Sequence, residues 1–357
     1  MTGSGVTLPG RLGDPDCSLA TDRRADPRMV AAMAPIGLAE RAPALPLSTS
    51  DPIETLIDYV NQSEEGFNIV LPMFVGELPP VSGVTRSVEI IRGDDGNDIT
   101  LFIHRPADVS GPMPAIVHLH GGGMVMLEAA GPAYQRWRDH LAATGLVVVG
   151  VEFRNGGGKL GPHPFPAGLN DCSSALRWVG ANKSMLGVSK IVVSGESGGG
   201  NLTLATTLKA KRDGNLGLID GVYAQCPYIS GTYASPPADL VSLVENDGYF
   251  LAGDQMSLLA KVYDPTGANA TNPLAWPWHA AAEDLAGLPP HVISVNQLDP
   301  LRDEGLAYFR KLLDAGVSAV CRTVNGTCHA GDIIFEAAIP EVTMATVRDI
   351  SGFAHAL

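Results

Sequence analysis

The chain has 357 residues, of which 45% are hydrophobic and 17% charged, and its 24 basic and 38 acidic side chains give a formal net charge of −14. This composition excludes a mainly disordered protein, because disorder requires low hydrophobicity. It also argues against a nucleic-acid partner, since binding to polyanions depends on clustered Lys and Arg side chains. The expected ligand is a small neutral or apolar molecule.

The sequence contains no run of about 18 apolar residues, so stable association with a membrane is not expected. Its start, MTGSGVTLPGRLGDPD, lacks the basic and apolar regions of a secretory signal, which predicts a cytoplasmic location. The five cysteines are an odd number without a C-x-x-C pair. Neither a disulfide framework nor a metal site is therefore predicted, and no cofactor is expected.

Residues 1–85 are rich in proline and carry two predicted helices. One begins at the cap signal Asp26-Pro27 and runs through RMVAAMAPIGLAE, and the other, IETLIDYV, begins after Pro52. Neither helix could fold alone. This segment is therefore predicted to pack over a larger unit as part of a cap.

Eight short runs downstream predict strands, with amphipathic helical stretches between most of them. The first two flank the turn sequence DDGN and form a hairpin, whereas the other six are apolar, which is typical of strands buried on both faces. The alternation predicts an α/β fold with a mostly parallel eight-stranded sheet flanked by helices. The runs are SVEIIRG, DITLFIHRP, AIVHLH, LVVVGVEF, KIVVSG, GVYAQCPYI, HVISVNQL and SAVCRTV.

One connection is too long for this pattern. The stretch between GVYAQCPYI and HVISVNQL far exceeds an ordinary α/β connection, which is a helix with loops of about 2–6 residues. Residues 230–285 are therefore predicted to form an inserted helical lid that contributes to the cap. Residues 86–357 would form the main domain, with the lid inserted in it.

The strongest chemical signal is GESGG at Gly195–Gly199, a G-x-S-x-G motif between the strand KIVVS and a helix that begins near Asn201. Small residues on both sides of the serine permit a tight strand-to-helix turn that exposes Ser197 Oγ at the helix N-terminus. The helix dipole and free N–H groups at that end favour the negative charge that develops during acyl transfer. Ser197 is the predicted nucleophile.

A second signal follows the strand AIVHL, where His120 precedes three glycines. Backbone N–H groups in such a loop can point into a cavity without interference from side chains. We assign the oxyanion hole to the N–H groups of Gly122 and Gly123, joined by that of Gly198. His118 and His120 lack a nearby third metal ligand, so His120 is predicted to anchor the loop.

A nucleophilic serine needs a base and a residue that orients the base, and in α/β-hydrolases they follow in the order Ser, acid, His. Asp299 stands directly after the strand HVISVNQL, and His329 follows the last strand, so both lie at carboxyl ends of strands. The alternative acid, Asp303, falls in the first turn of the next helix, where it complements the helix dipole. Asp299 and His329 are the predicted acid and base.

A further glycine-rich segment, GGGKLG at 156–161, matches G-x-G-x-x-G. Three prolines follow within six residues, where the dinucleotide-binding fingerprint requires a helix. The segment is therefore predicted to be a loop.

Several long motifs in the same order make the chain resemble the bacterial hormone-sensitive-lipase family of α/β-hydrolase carboxylesterases from about Ser87 to the C-terminus. The resemblance implies the same triad of Ser197, Asp299 and His329, a cap formed by the N-terminal region and the lid, and frequent homodimers. Many members carry G-D-S-A-G where this chain has GESGG. The motifs are HGGG, VEFRN, HPFPAG, GESGGGN, LVENDGYF, YDPTG, NPLAWP and NQLDPLRDEG.

The sequence thus predicts a serine carboxylesterase for short- to medium-chain or bulky-alcohol esters, acting through an acyl-enzyme. Lactone or amide hydrolysis with the same triad and a non-catalytic ligand-binding role are the alternatives, because the pocket decides the substrate. The presence of all three triad positions favours an enzyme. The candidate substrate contacts are Met124, Met126, Tyr228 and Phe250.

Overall fold

The computed structural model of the chain describes residues 8–109 and 111–357. Its eight strands are β1 (Val84–Arg92), β2 (Asp98–Pro106), β3 (Met113–Leu119), β4 (Val147–Glu152), β5 (Val188–Glu196), β6 (Gly221–Gln225), β7 (His291–Asn296) and β8 (Ala319–Val324). They form one sheet in the order β1-β2-β4-β3-β5-β6-β7-β8. The pairs β1–β2 and β2–β4 are antiparallel and the rest are parallel. The predicted α/β-hydrolase fold with a mostly parallel eight-stranded sheet is confirmed.

Helices connect and surround these strands. In the described part of the chain the α-helices are α1 (Gly10–Gly13), α2 (Pro27–Met33), α3 (Ile53–Val75), α4 (Pro132–Ala142), α5 (Ala167–Ala181), α6 (Lys183–Leu186), α7 (Gly198–Arg212), α8 (Ser242–Glu245), α9 (Gly253–Tyr263), α10 (Ala282–Leu285), α11 (Arg302–Asp314), α12 (Gly331–Ile334) and α13 (Pro340–Ala356). Short 3₁₀ helices span Ala34–Ile36, Leu216–Leu218 and Pro277–His279.

The central strands are buried on both faces because successive side chains point in opposite directions. Ile116 on β3 packs against α4 and α13, while its neighbours Ala115 and Val117 pack in the larger core formed with α5, α7 and α11. Every residue of β3 is accordingly buried. This arrangement explains why the strand sequences are continuously apolar rather than alternating.

Several helices differ from the sequence prediction. The helix predicted from Asp26-Pro27 through RMVAAMAPIGLAE ends at Met33, and only a 3₁₀ turn continues to Ile36 before Gly37, which has a left-handed backbone. The segment predicted as IETLIDYV continues to Val75 despite Gly66 and Pro72, which disfavour a helix. One of the amphipathic stretches predicted as a helix between strands, LNDCSSALRWVGANKSML, is divided at Asn182 into α5 and α6. Helix α13 was not predicted. In α3, tertiary packing overrides weak local propensity.

The N-terminal segment packs against both the insertion and the loops at the sheet edge. Helix α3 contacts α9 of the insertion. Met29, Met33 and Phe74 form a buried cluster with Leu298 and Cys328, which directly precede Asp299 and His329. Among the described residues, no helix is long and apolar enough to cross a membrane. The predicted domain boundary near residue 85 stays a prediction.

Candidate active site

Ser197 lies at the sharp turn between β5 and α7. Its backbone has φ 57° and ψ −118°, a left-handed conformation that a non-glycine residue rarely adopts. The Ser197 N–H donates to the carbonyl oxygen of Gln225 at 3.0 Å, which fixes the turn. A Cβ at Gly199 would stand 1.9 Å from the carbonyl oxygen of Leu119, so only glycine fits there. The small residues of GESGG thus permit a turn that projects the serine from the sheet edge.

Asp299 and His329 meet at the same edge of the sheet. His329 Nδ1 lies 2.8 Å from Asp299 Oδ2, and both side chains are buried. The other carboxylate oxygen, Asp299 Oδ1, accepts the N–H of Leu301 at 2.9 Å. A carboxylate held this way can orient the imidazole and stabilise its protonated form.

Ser197 and His329 line one cavity together with all three glycines that follow His120. The structure therefore brings the predicted nucleophile and base to a shared space, with the predicted acid behind the base. The glycine loop lies along one wall. Such an arrangement can perform nucleophilic attack, proton transfer and stabilisation of an oxyanion.

The oxyanion loop is a tight turn that begins at Gly122. Gly122 has φ 100° and Gly123 has φ 61°, both in the left-handed region. The Gly122 carbonyl oxygen accepts the N–H groups of Val125 at 3.0 Å and Met126 at 3.1 Å. Gly198 packs against this loop so closely that a Cβ there would stand 2.6 Å from Gly123 N. The three N–H groups assigned to the oxyanion hole therefore belong to backbone segments in direct contact.

Glu196, which ends β5 directly before the serine, holds the start of this loop. Its Oε1 accepts the N–H of Gly121 at 2.7 Å, and its Oε2 lies 3.1 Å from His118 Nε2. His120 Nδ1 lies 2.8 Å from the Gly121 carbonyl oxygen, and its ring stacks on Phe153 at 4.2 Å between centroids. Burial lowers the pKa of His120 to about 3, so its imidazole is neutral. His118 and His120 are thus bound within the protein rather than arranged around a metal.

Cys226 lies beside the acid and base. Its Sγ and the side-chain ligand atoms of Asp299 and His329 lie within 4.8 Å of one another. Burial raises the pKa of the Cys226 thiol well above its usual value. Because metal coordination requires the thiolate, and Asp299 already binds His329, this donor set suits a hydrogen-bonded pair better than a metal.

The cavity is largely apolar, and the empty space between its lining residues, including open solvent at its mouth, is about 1050 Å³. Three charged residues belong to its lining. Arg136 and Glu336 form a bidentate ion pair at 2.6 and 2.7 Å, and the Glu196 carboxylate is held by the Gly121 N–H and lies beside His118. Because each of these charges already has a protein partner, the lining favours a neutral ligand. Its apolar residues include Phe67, Leu71, Val75, Met126, Leu127, Phe250, Leu251, Met256, Leu259, Ile333 and Ile334.

Three of the four predicted substrate contacts line the cavity, and one does not. Met126, Tyr228 and Phe250 line the cavity. Met124 needs correction, because it does not belong to the cavity lining and is buried in the hydrophobic core. The positive φ of 60° at Met124 turns the chain at this point, which sequence spacing alone does not reveal.

Sequence analysis missed the contribution of α3. Phe67, Leu71 and Val75 occupy positions i, i+4 and i+8, so they share one face of the helix and line the cavity. The spacing of these three residues could have indicated the cavity-lining face, but the helix predicted from sequence, IETLIDYV, ends before them. Tyr134 on α4 and Leu259 on α9 were also missed.

Comparisons with known proteins agree with this geometry. Residues 116–332 match the α/β-hydrolase fold family. The chain is 34% identical over 274 residues to carboxylesterase NlhH of Mycobacterium tuberculosis, covering 74% of this chain and 81% of that protein. It is 34% identical over 224 residues to an arylesterase of Saccharolobus solfataricus, covering 60% of this chain and 67% of the relative.

Solved structures extend the similarity to nearly the whole chain. The structure of brefeldin A esterase, described as a bacterial homologue of human hormone-sensitive lipase, superposes with a TM-score of 0.95 at 49% sequence identity. The match covers 98% of each chain. It therefore includes the N-terminal segment and the insertion as well as the sheet.

Proposed function

This chain belongs to the α/β-hydrolase fold family and is a carboxylic ester hydrolase, and we propose that it cleaves neutral esters through an acyl-enzyme intermediate on Ser197. The observation that carries the proposal is the shared cavity lined by Ser197 and His329, with Asp299 bonded to His329 at 2.8 Å. The proposed steps use only side chains, backbone N–H groups and water.

In the first half-reaction, Ser197 Oγ attacks the ester carbonyl carbon while His329 Nε2 accepts the hydroxyl proton. Asp299 keeps the proton of His329 on Nδ1 and stabilises the imidazolium that forms. The tetrahedral intermediate then collapses, and His329 donates its proton to the departing alkoxide. The products of this half are an alcohol and an acyl group on Ser197.

In the second half-reaction, His329 accepts a proton from water as the water attacks the acyl carbon. Collapse of the second tetrahedral intermediate releases the carboxylic acid and returns the proton to Ser197. The negative oxygen in both intermediates would accept hydrogen bonds from the N–H groups of Gly122, Gly123 and Gly198. Preorganised donors of this kind contribute about 3–4 kcal/mol each to lowering the barrier.

The cavity supports an uncharged substrate with substantial apolar groups. Its lining comes from the cap, the oxyanion loop and the segment after His329, and the Arg136–Glu336 pair leaves neither charge free to bind an ionic substrate. Short- to medium-chain esters and esters of bulky alcohols fit this chemistry. The similarity to brefeldin A esterase makes brefeldin A a specific test compound.

The decisive experiment compares the wild-type protein with Ser197→Ala on p-nitrophenyl butyrate. Loss of nearly all turnover in the variant, together with a burst of p-nitrophenol from the wild type, would support the proposal. Wild-type turnover by Ser197→Ala would overturn it. A p-nitrophenyl chain-length series, brefeldin A, a lactone and an amide isosteric with the best ester would then define the preferred bond.

A further inference from the structure

One carboxylate of the cap reaches into the main domain. Glu64 on α3 is 5% exposed. Its Oε1 accepts the N–H of Leu127 at 2.6 Å, and its Oε2 accepts the N–H of Lys159 at 2.7 Å. Because a buried carboxylate is costly without such donors, both bonds are needed to keep it there.

The loop that receives Glu64 is the glycine-rich segment 156–161. A Cβ at Gly157 would stand 3.0 Å from Val60 Cγ1 of the cap helix, and one at Gly158 would stand 2.7 Å from Glu64 Oε1. The Gly158 N–H also donates to Asn61 Oδ1 at 3.0 Å. The glycines thus allow α3 to approach the main-domain backbone closely, which gives the unassigned G-x-G-x-x-G match a physical role.

The contact between Glu64 and Leu127 also connects the cap to the oxyanion loop. Leu127 directly follows Met126, whose N–H donates to Gly122 across the tight turn at 3.1 Å. The Leu127 carbonyl oxygen accepts from Asn155 Nδ2 at 2.7 Å, and φ at Leu127 is 75°. Glu64 therefore binds the far end of the turn that begins with the predicted oxyanion donors.

Two further bonds join this turn to the glycine-rich segment. Gly156 N–H donates to the Met124 carbonyl oxygen, and Gly157 N–H donates to that of Val125, each at 2.9 Å. The two segments consequently form one hydrogen-bonded unit, and Glu64 bridges them through Leu127 and Lys159. Movement of the Glu64 carboxylate would therefore displace both the turn and the glycine-rich segment.

We infer that Glu64 is a positioning residue of the cap that sets the geometry of the oxyanion loop, so that docking of α3 completes the catalytic site. The inference rests on the proposed serine-esterase function and deepens it. Glu64 does not line the cavity, and its effect on the reaction passes through Leu127 and the turn to Gly122.

Glu64→Gln tests this role with almost no change in side-chain size. The Glu64 carboxylate has two oxygens, one to accept the Leu127 N–H and one to accept the Lys159 N–H. The glutamine amide has one oxygen for one of these donors, and its NH₂ group, itself a donor, faces the other. Either Leu127 or Lys159 is then left with a buried, unpaired donor. Glu65→Gln is the matched control, because Glu65 is the exposed neighbour on the same helix.

A second control separates the oxyanion loop from cap docking in general. Asn61→Ala removes the bond from Gly158 to the cap but leaves Leu127 bound to Glu64. We expect Glu64→Gln to lower kcat on p-nitrophenyl butyrate by about ten-fold to a hundred-fold. KM should change by less than about two-fold, because oxyanion donors act mainly in the transition state. Glu65→Gln and Asn61→Ala should keep kcat near the wild-type value.

A trifluoromethyl ketone supplies a readout that a merely structural role would not change. Its adduct with Ser197 places an oxyanion in the proposed hole, so its affinity should fall in proportion to kcat/KM in Glu64→Gln. Rates are expressed per active site titrated with an organophosphate, which removes any effect of misfolded protein. Should Glu64→Gln be insoluble, Glu64→Asp, one methylene shorter, is expected to change the same quantities in the same direction.

The outcomes separate this inference from the proposed function. An active wild type with an inactive Ser197→Ala supports the esterase mechanism by itself. If Glu64→Gln then retains wild-type kcat and inhibitor affinity, or if Asn61→Ala loses as much kcat as Glu64→Gln, the positioning role is overturned. An inactive wild type would instead overturn the proposed function.

Discussion

Asp299 and His329 are joined by a 2.8 Å contact between Oδ2 and Nδ1, and Asp299 is fully shielded from solvent. The N–H of Leu301 holds the second carboxylate oxygen, so Asp299 has little freedom to rotate away from the imidazole. A buried carboxylate in this position fixes the proton on Nδ1 and leaves Nε2 available for the serine hydroxyl.

Replacement of this acid should therefore abolish most activity while preserving the fold. In Asp299→Asn the amide can donate to Nδ1 and stabilise the wrong tautomer, so kcat on p-nitrophenyl butyrate should fall by about 10⁴-fold. Asp303→Asn is the control, because Asp303 binds Arg302 and the Ser242 N–H rather than His329. A loss of activity in Asp303→Asn as large as that in Asp299→Asn would contradict the assignment.

The close approach of Gly198 to the oxyanion loop predicts that a single methyl group impairs catalysis. In Gly198→Ala the new Cβ would stand 2.6 Å from the backbone nitrogens of Gly123 and Met124. The loop must move to relieve this overlap, and kcat should fall by about ten-fold to a hundred-fold. Gly217→Ala, where no atom lies within 4 Å of the added Cβ, should leave kcat unchanged. Full activity of Gly198→Ala would show that the loop can shift without affecting the donors.

The ion pair at the cavity wall predicts a pH-dependent contribution to stability. Burial opposes ionisation of Glu336, but hydrogen bonds from Arg136 and His140 outweigh it and lower the pKa of this carboxyl from 4.5 to about 2. Because the folded-state pKa is the lower one, the stabilisation is present above pH 4.5 and is lost as the pH falls towards 2. Its upper limit at pH 7 is about 3 kcal/mol.

Glu336→Gln should accordingly lower the free energy of unfolding at pH 7 by about 1–3 kcal/mol, as measured by urea titration. The difference from the wild type should narrow between pH 4.5 and pH 3.0 as the unfolded wild-type carboxyl becomes protonated. Glu341→Gln, at an exposed ion pair with Arg28, should show little difference at either pH. A difference for Glu336→Gln that does not change with pH would contradict the predicted pKa.

The glycine inside the cap helix predicts a stabilising substitution. Gly66 is exposed in the interior of α3, and a Cβ there would meet no atom within 4 Å. Gly66→Ala should raise the free energy of unfolding by about 0.5–1 kcal/mol, because alanine loses less backbone entropy in a helix.

Gly37 provides the matched comparison for Gly66. It also has open space around a Cβ, but its φ is 75°. Gly37→Ala should lower the free energy of unfolding by about 1 kcal/mol, because a left-handed conformation strains an L-residue. Thermal unfolding followed by circular dichroism should move the two melting temperatures in opposite directions. If both melting temperatures moved in the same direction, the backbone φ angle would not be what determines the effect of alanine at Gly37 and Gly66.

Several features were predictable from sequence because they depend on residues close together in the chain. The turn at Ser197 requires small neighbours within two residues, and GESGG states that requirement directly. The apolar runs identified six strands, because a strand buried on both faces needs apolar residues throughout, and the turn sequence DDGN identified the hairpin of β1 and β2. The positions of Asp299 and His329 followed from the fact that carboxyl ends of parallel strands meet at one edge of the sheet.

Other features depended on contacts that local sequence does not encode. Helix α3 extends through Gly66 and Pro72 because its apolar face lines the cavity and the helix packs against α9. The helix propensity of these residues predicts an earlier end. Met124 was placed in the pocket from its position after the glycines, yet it does not belong to the lining. Leu127 also has a positive φ and packs in the same core but does line the cavity, so these local features do not decide which residue reaches it.

The sequence by itself thus determined the sheet, the sharp turn at Ser197 and the residues that we propose for acyl transfer, because short-range sterics and burial patterns specify them. Only the tertiary structure decided which side chains line the cavity and how the cap meets the catalytic loops. The bond from Leu127 N to Glu64 Oε1 spans 63 residues of sequence. No periodicity identifies such a pair, since it exists only when the packing of α3 brings a buried carboxylate to an unpaired N–H.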